Sequence, residues 1–457
     1  MARSVAEPGT RTGTRNGNQS GFREFGSERA SENDACAYPW GGWLKNKISA
    51  LLRSPSLRAA GLLMAGGFGF AAANILLARL LASSEFGALS LFLALIQLSL
   101  TLGPFGLDLA INRHRLDASS ELRNWGLVTS VATGFLIAIA AVALYDVDVT
   151  MAACLVVAGI ASSFNRFGSS LLQAQQRFGF SLFLGQVHNY ILLLAVPVLW
   201  AMGTDQALPI MAMIVLSYLI TSLVGWFAAS KTRLREGPSP ALRNFLKESL
   251  AGFGILLATQ VLWQLERLVI PRTLSMEDLA TFAVVAAIAG SPFRMLQIGI
   301  GHTLLPGLRG CRDRQDVHRL MKREGAIVFG ASAASVLAVI IVTPFIAEHF
   351  LMGRYDIGWA LLIAVIVTGL VKVVNGFVSA IVQALGSTTA LAKFNVLTWI
   401  GLLAGVACAT YGARYGVTGV VYGVGVAWLA MSLVAFVLAL AALKNWQGGA
   451  PAAVMKR

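Results

Sequence analysis

From about residue 57 to residue 443 the chain reads as one apolar run after another, each closed by a short polar break. An α-helix advances about 1.5 Å per residue, so roughly 20 apolar residues cross a hydrocarbon core of about 30 Å. Lipid offers backbone amides no partner, and a helix satisfies them all internally. The chain is therefore read as an all-α polytopic membrane protein. Its composition agrees, since 13% of residues are charged, about half the share of a soluble domain. Mean hydropathy is +0.69.

The runs lie at roughly 57–82, 86–110, 125–145, 149–171, 180–202, 207–229, 249–270, 279–304, 325–347, 357–383, 391–411 and 416–443, about twelve transmembrane helices. The first hairpin is the most informative. Asn74 to Arg115 reads as the end of one span, a tight turn at Ser83-Ser84-Glu85, and a full second span with a basic loop after it. Its Arg79-to-Leu89 segment is echoed by Arg272-to-Phe282. Arg79 matches Arg272, Ala82 matches Ser275, Glu85 matches Asp278 and Leu89 matches Phe282. The echo falls at the first hairpin of each half, which points to duplication. Six is an even number of spans, so both halves enter the membrane from one side. That predicts two six-helix parallel repeats around a central cavity.

The expected organisation follows. Residues 1–56 form a disordered basic tail, 57–230 a first lobe, 231–248 a linker, 249–443 a second lobe and 444–457 a second tail. The stretch 43–52, WLKNKISALL, reads either as a helix on the membrane surface or as the lead-in to the first span. The first 40 residues have no apolar core or cleavage site of a signal peptide.

A formal charge of +14 invites a nucleic-acid reading. The position of the charges removes the need for one. Most Lys and Arg residues lie in the tails and in alternate loops, among them Arg113, Arg115, Arg123, Lys231 and the run from Arg309 to Arg323. This is the positive-inside pattern, which puts both termini in the cytoplasm. The four cysteines, Cys36, Cys154, Cys311 and Cys408, are scattered, with neither disulfide nor metal spacing.

Polar groups within spans are costly and so mark candidate sites. Gln97, Thr101, Pro104 and Asp108 fall on one face of the second span, and Ser162, Arg166, Ser170 and Gln173 on one face of the fourth. His188 in the fifth reads as a packing residue. The seventh carries Gln260, Gln264, Glu266 and Arg267, the eighth Ser291, Arg294 and Gln297, and the tenth Lys372, Asn375, Ser379 and Gln383. Any one stripe can be ordinary helix–helix hydrogen bonding. Asp108 can cap a helix or pair with Arg113, and Arg267 can reach the headgroups. Together, Arg166, Arg267, Arg294 and Lys372 outnumber Asp108 and Glu266, and excess positive charge suits an anionic substrate. The candidate substrate-binding residues are these six with Asn375 and Gln264. The loops opposite the termini are too short for a catalytic domain, and no Walker motif cradles a nucleotide. A carrier without cofactor or metal is expected, and not an enzyme.

These residues resemble a known family. LLARLLASSEFGALSLF with GLDLAINR after it, Leu265-Glu266-Arg267-Leu268, Leu304 to Leu308, Gln383 to Gly386 and Gly416 to Val420 are similar, in order and spacing, to the polysaccharide transporters. These are the O-antigen (Wzx-type) flippases of the multidrug, oligosaccharidyl-lipid and polysaccharide exporter superfamily. The resemblance covers about residues 57 to 443. It implies a flippase that moves an undecaprenyl-pyrophosphate-linked oligosaccharide across a bacterial inner membrane by alternating access, for exopolysaccharide, capsule or O-antigen synthesis. A polysaccharide polymerase and a chain-length regulator are candidate partners. Of the candidate residues, the resemblance matches Glu266-Arg267 by position, with Glu where the family has Asp. A cation-coupled multidrug exporter and a non-transporting assembly scaffold are the alternatives.

Overall fold

The computed structural model describes residues 55–232, 243–311 and 313–446. The 43–52 stretch, Cys36 and most of the linker lie outside them. Among the described residues every regular element is a helix. In the first half these are α1 (Pro55–Leu80), α2 (Ser83–Leu102), α3 (Leu107–His114), α4 (Ser120–Tyr145), α5 (Val149–Ala174), α6 (Phe178–Met202) and α7 (Leu208–Ser230). The second half has α8 (Arg243–Trp263), α9 (Leu265–Thr273), α10 (Met276–Val285), α11 (Ser291–Gly310), α12 (Arg314–Phe345), α13 (Trp359–Leu385), α14 (Thr388–Gly412) and α15 (Gly416–Asn445). Taken as spans, with α2–α3, α8–α9 and α10–α11 each one interrupted helix, they fit the roughly 12 expected.

Short polar turns start the helices because a side-chain oxygen can take an amide that the first turn leaves unpaired. Ser119 accepts from Leu122 and Asp148 from Met151, both at 3.1 Å, and Ser387 accepts from Ala390 at 3.2 Å. Ser275 and Asp278 form a full capping box. Its sequence echo lies at equivalent positions: Ala82 occupies the N-cap position of α2 and Glu85 is its third residue. Alanine cannot cap, and Glu85 instead accepts from the Ala207 amide at 2.7 Å.

Three spans are interrupted. The second breaks at Gly103 to Gly106, where Phe105 and Gly106 have φ of +48° and +75°. The expected stripe from Gln97 to Asp108 is therefore not continuous, and Asp108 opens the separate helix α3. A Cβ at Gly106 would collide with the Ser249 carbonyl, so glycine serves both the turn and the close approach. The seventh span bends by 52° between α8 and α9, at Gln264. The eighth carries a π-helical turn, Ala286–Gly290, between α10 and α11.

The packing repeats. In each half the fourth span packs on the sixth, the first on the fifth, and the second on the fourth. One pairing differs: α4 lies along α5, whereas α12 leans on α11 without comparable packing against α13. Phe329, Leu337, Ile341 and Phe345 on α12 are left exposed, as lipid-facing residues are.

The halves meet mainly through α2 on α10, with α1 against the π turn and α11. Gly87 of α2 lies so close to the Met276 carbonyl that no side chain would fit between them. Leu77, Leu81, Phe86, Leu89, Leu279 and Ala283 are fully buried in one core shared by both halves. These six lie toward the end of the molecule holding the 81–82 and 274–275 turns, the far end, and the same core runs on to Leu308, Val317 and Val382 near the other end. The other end, holding most of the basic loops, is called the basic end. There a smaller core of Leu107, Ile111, Phe167 and Leu171 belongs mostly to the first half.

Candidate functional site

Two carboxylate–cation pairs lie inside the bundle. Asp108, in the first turn of α3, accepts from Arg166 of α5, at 3.1 Å from Nε and 3.0 Å from a terminal nitrogen. Arg166 is thus the partner found for Asp108, where the sequence had suggested Arg113. The Asp108 side chain is 7% exposed and that of Arg166 is 43% exposed. Glu266, just past the bend of the seventh span, accepts from Lys372 of α13 at 2.6 Å, with side chains 4% and 14% exposed.

Aromatic rings complete the second pair. The Lys372 ammonium lies 5.4 Å from the Trp263 ring centre and 5.8 Å from that of Trp428, and the two indoles pack edge to face. A cation facing two indoles and bonded to a carboxylate is well compensated. Trp263 and Trp428 have no place among the expected site residues. Their signal was too weak to find, because tryptophan in a membrane helix is commonplace.

Of four interior cations, two are thereby bonded to the two interior anions. The remaining pair, Arg267 and Arg294, lie within electrostatic range of each other, and no described carboxylate forms an ion pair with either. Glu266 is near Arg267, but its bond goes to Lys372. Arg267 is half-buried in α9. The Arg294 side chain is accessible on α11, within electrostatic range of His188 in the first half as well as of Arg267. Ile298 and His302 continue the accessible face of α11 at successive turns toward the basic end.

The polar stripes divide between ordinary bonding and unfilled capacity. Ser162 returns its hydroxyl to the Gly159 carbonyl of its own helix, and Gln173 accepts from Asn112 at 3.2 Å. Asn375 is buried and accepts from Ser379 at 3.2 Å, while its own amide nitrogen bonds to no described group. The Gln297 carbonyl oxygen is in the same condition, one turn from Arg294. Gln264 is buried at the bend itself. His188 stacks on Tyr218 with ring centres 5.0 Å apart, as a packing residue would, but its Nδ1 and the Tyr218 hydroxyl are unpartnered. Among the described residues no cluster of His, Cys, Asp or Glu could hold a metal.

At the far end the halves close along the Gly87–Met276 seam, and toward the basic end α3 packs on α8, where Phe105 stacks on Phe253 with ring centres 5.0 Å apart. The first and eighth spans touch at Gly67 and Met295. Nearer the basic end Met64 of α1 is exposed, as are Gly299, His302 and Thr303 of α11.

Residues 76–353 match the family described as polysaccharide biosynthesis protein. The chain belongs to that family. No curated protein matches it. Among solved structures it is similar to an inward-facing multidrug resistance MATE family transporter of the MOP superfamily, with a TM-score of 0.62 at 18% identity over 86% of this chain and 100% of that one. The lipid II flippase MurJ in an inward closed conformation aligns with a TM-score of 0.59 at 14% identity, over 85% of this chain and 87% of that one. The Vibrio cholerae MATE transporter VcmN in its bent form reaches 0.52 at 15% identity, over 85% and 98%. At these identities the likeness is one of fold. This member of the polysaccharide biosynthesis family therefore shares its fold with a MATE transporter and with MurJ, and its Arg267 and Arg294 form no ion pair with a described carboxylate.

Proposed function

We propose that this protein is a flippase for an anionic lipid-linked oligosaccharide, and that the substrate is an undecaprenyl-pyrophosphate-linked repeat unit for exopolysaccharide, capsule or O-antigen synthesis. The observation that carries the reading is the Arg267–Arg294 pair. Two like charges inside a membrane protein repel each other and are costly unless an anion joins them. A pyrophosphate answers that need, because its oxygens accept from guanidinium forks without covalent chemistry. In this reading the glycan occupies the polar interior and the polyprenyl tail stays in lipid. The basic end faces the cytoplasm, as the distribution of Lys and Arg favours. The membrane is then the bacterial inner membrane, and no catalytic group is required.

The direct test is deletion of the gene in a strain without a substitute flippase. Surface polysaccharide should be lost, and repeat units should accumulate on the cytoplasmic leaflet. Polymer at normal levels would overturn the proposal. The MATE-like fold raises a second reading, export of organic cations, but two uncompensated arginines would repel such a cargo. A drug-sensitivity panel on the same strain separates the two. A scaffold role predicts that neutralising Arg267 and Arg294 together leaves polymer unchanged.

A further inference from the structure

The echoed arginines, Arg79 and Arg272, are the part of the repeat that the proposed function leaves unused. Each ends the first span of its half at the far end. Arg79 lies 5.1 Å from the ring centre of Phe350, in the turn that follows α12. Arg272 lies within electrostatic range of Tyr145, the last residue of α4. Each first span thus ends against the end of the other half's third span.

Two hydrogen bonds follow the same cross-over. The Tyr355 hydroxyl, from the segment between α12 and α13, donates to the Ala78 carbonyl at 2.9 Å. The Tyr145 hydroxyl, from the first half, donates to the Leu268 carbonyl of α9 at 3.0 Å. Arg354 adds a bond to the Arg79 carbonyl at 3.2 Å. Ala78 and Arg79 are in the last turn of α1, where carbonyls have no partner within the helix. Leu268 lies in the short helix α9, and a carbonyl oxygen has two lone pairs, so it can accept the phenol beside a bond within its own helix. Each half therefore provides carbonyl acceptors near the end of its first span, and the opposite half provides the phenol. Burial raises the Tyr355 hydroxyl above its ordinary value, against smaller opposing effects of Arg354 and Ser83, so it remains a donor. The Gly87–Met276 seam joins the halves at the same end.

We propose that Tyr145 and Tyr355 form a pseudo-twofold pair of latches that holds the far end shut, and that both must release before that end opens. The bonds join neutral groups, which lets water replace them with little net loss as the seam parts. A latch of charged pairs buried at the same place would be much harder to release.

Ser90 provides a reporter. It is buried one turn from Gly87 on α2, and its hydroxyl has no partner. Ser90→Cys is introduced into a cysteine-free background, and the protein is reconstituted without substrate. Labelling by a membrane-impermeant maleimide from the far side then reads opening. Tyr145→Phe and Tyr355→Phe should each raise the labelling rate about fivefold, and the double variant roughly twenty-five-fold, as for independent bonds of ordinary strength. His302→Cys, read from the basic side, should label more slowly in the same variants. Wild-type labelling of Ser90→Cys in the double variant would overturn the proposal. So would a parallel rise at His302→Cys, which indicates general loosening. The assay contains no lipid-linked sugar, so it can fail or succeed independently of the proposed function.

Discussion

In both halves a carboxylate sits just past an interruption in a helix and bonds a cation on that half's fourth span. Asp108 follows the break at Gly103 to Gly106 and holds Arg166 of α5. Glu266 follows the bend at Gln264 and holds Lys372 of α13. The chemistry is parallel, but the surroundings differ. The Arg166 side chain keeps 43% of its surface accessible, whereas Lys372 keeps 14% and is flanked by two indoles. Both pairs pin an interrupted helix to its own lobe. The second does so in a setting where the loss of one partner strands a charge. An ion pair inside a membrane bundle can thus be structural, and the charges left to meet a ligand are those it does not include.

The largest expected effect breaks the buried pair. Lys372→Ala should destabilise the protein by about 3–5 kcal/mol, because Glu266 is left charged and unpaired. Thermal unfolding in detergent would measure it. The double variant Glu266→Leu with Lys372→Met should recover most of that loss, since well-packed apolar groups often replace a buried pair at little cost. Failure to recover would mean that the pair does more than hold α9 to α13.

Next in size are the two unpaired arginines. Arg294→Ala and Arg267→Ala should each weaken binding of an undecaprenyl-pyrophosphate lipid by about 1.5–3 kcal/mol, the worth of a charge-assisted bond. Stability should hold or improve, because a mutual repulsion is removed. Lipid titration and unfolding on the same samples separate the two effects. Equal affinity in both variants would remove the anion argument.

The smallest effect sharpens the contrast between the lobes. Arg166→Ala should cost only about 1 kcal/mol, since a partly exposed pair is screened by solvent. A cost as large as that of Lys372→Ala would show that the two pairs are equivalent after all.

Much of the architecture was legible in the sequence because lipid permits so few choices. Apolar runs of spanning length must be helices, and the Arg79–Leu89 echo already located the turn of each first hairpin. The helix interruptions were less legible. Gly103-Pro104-Phe105-Gly106 looks like the tail of a continuous span until the positive φ values at Phe105 and Gly106 take Asp108 out of the Gln97 stripe. Gln264 carries no sequence sign of a bend, since no glycine or proline adjoins it. Arg166, Arg267, Arg294 and Lys372 stand out in the sequence as charges within spans, but their division into bonded and unbonded groups could not be read.

What the sequence by itself determined was where charge enters the membrane, how many times the chain crosses, and that one hairpin occurs twice. Those are local properties, set by hydropathy and by loop composition. Which charges cancel was decided by tertiary structure alone. Asp108 and Arg166 are 58 residues apart, Glu266 and Lys372 are 106 apart, and Tyr355 lies 277 from its acceptor. No periodicity reaches across such distances. Only the packing of one helix on another brings the groups within the 2.6 to 3.1 Å at which a carboxylate or a carbonyl accepts a proton donor.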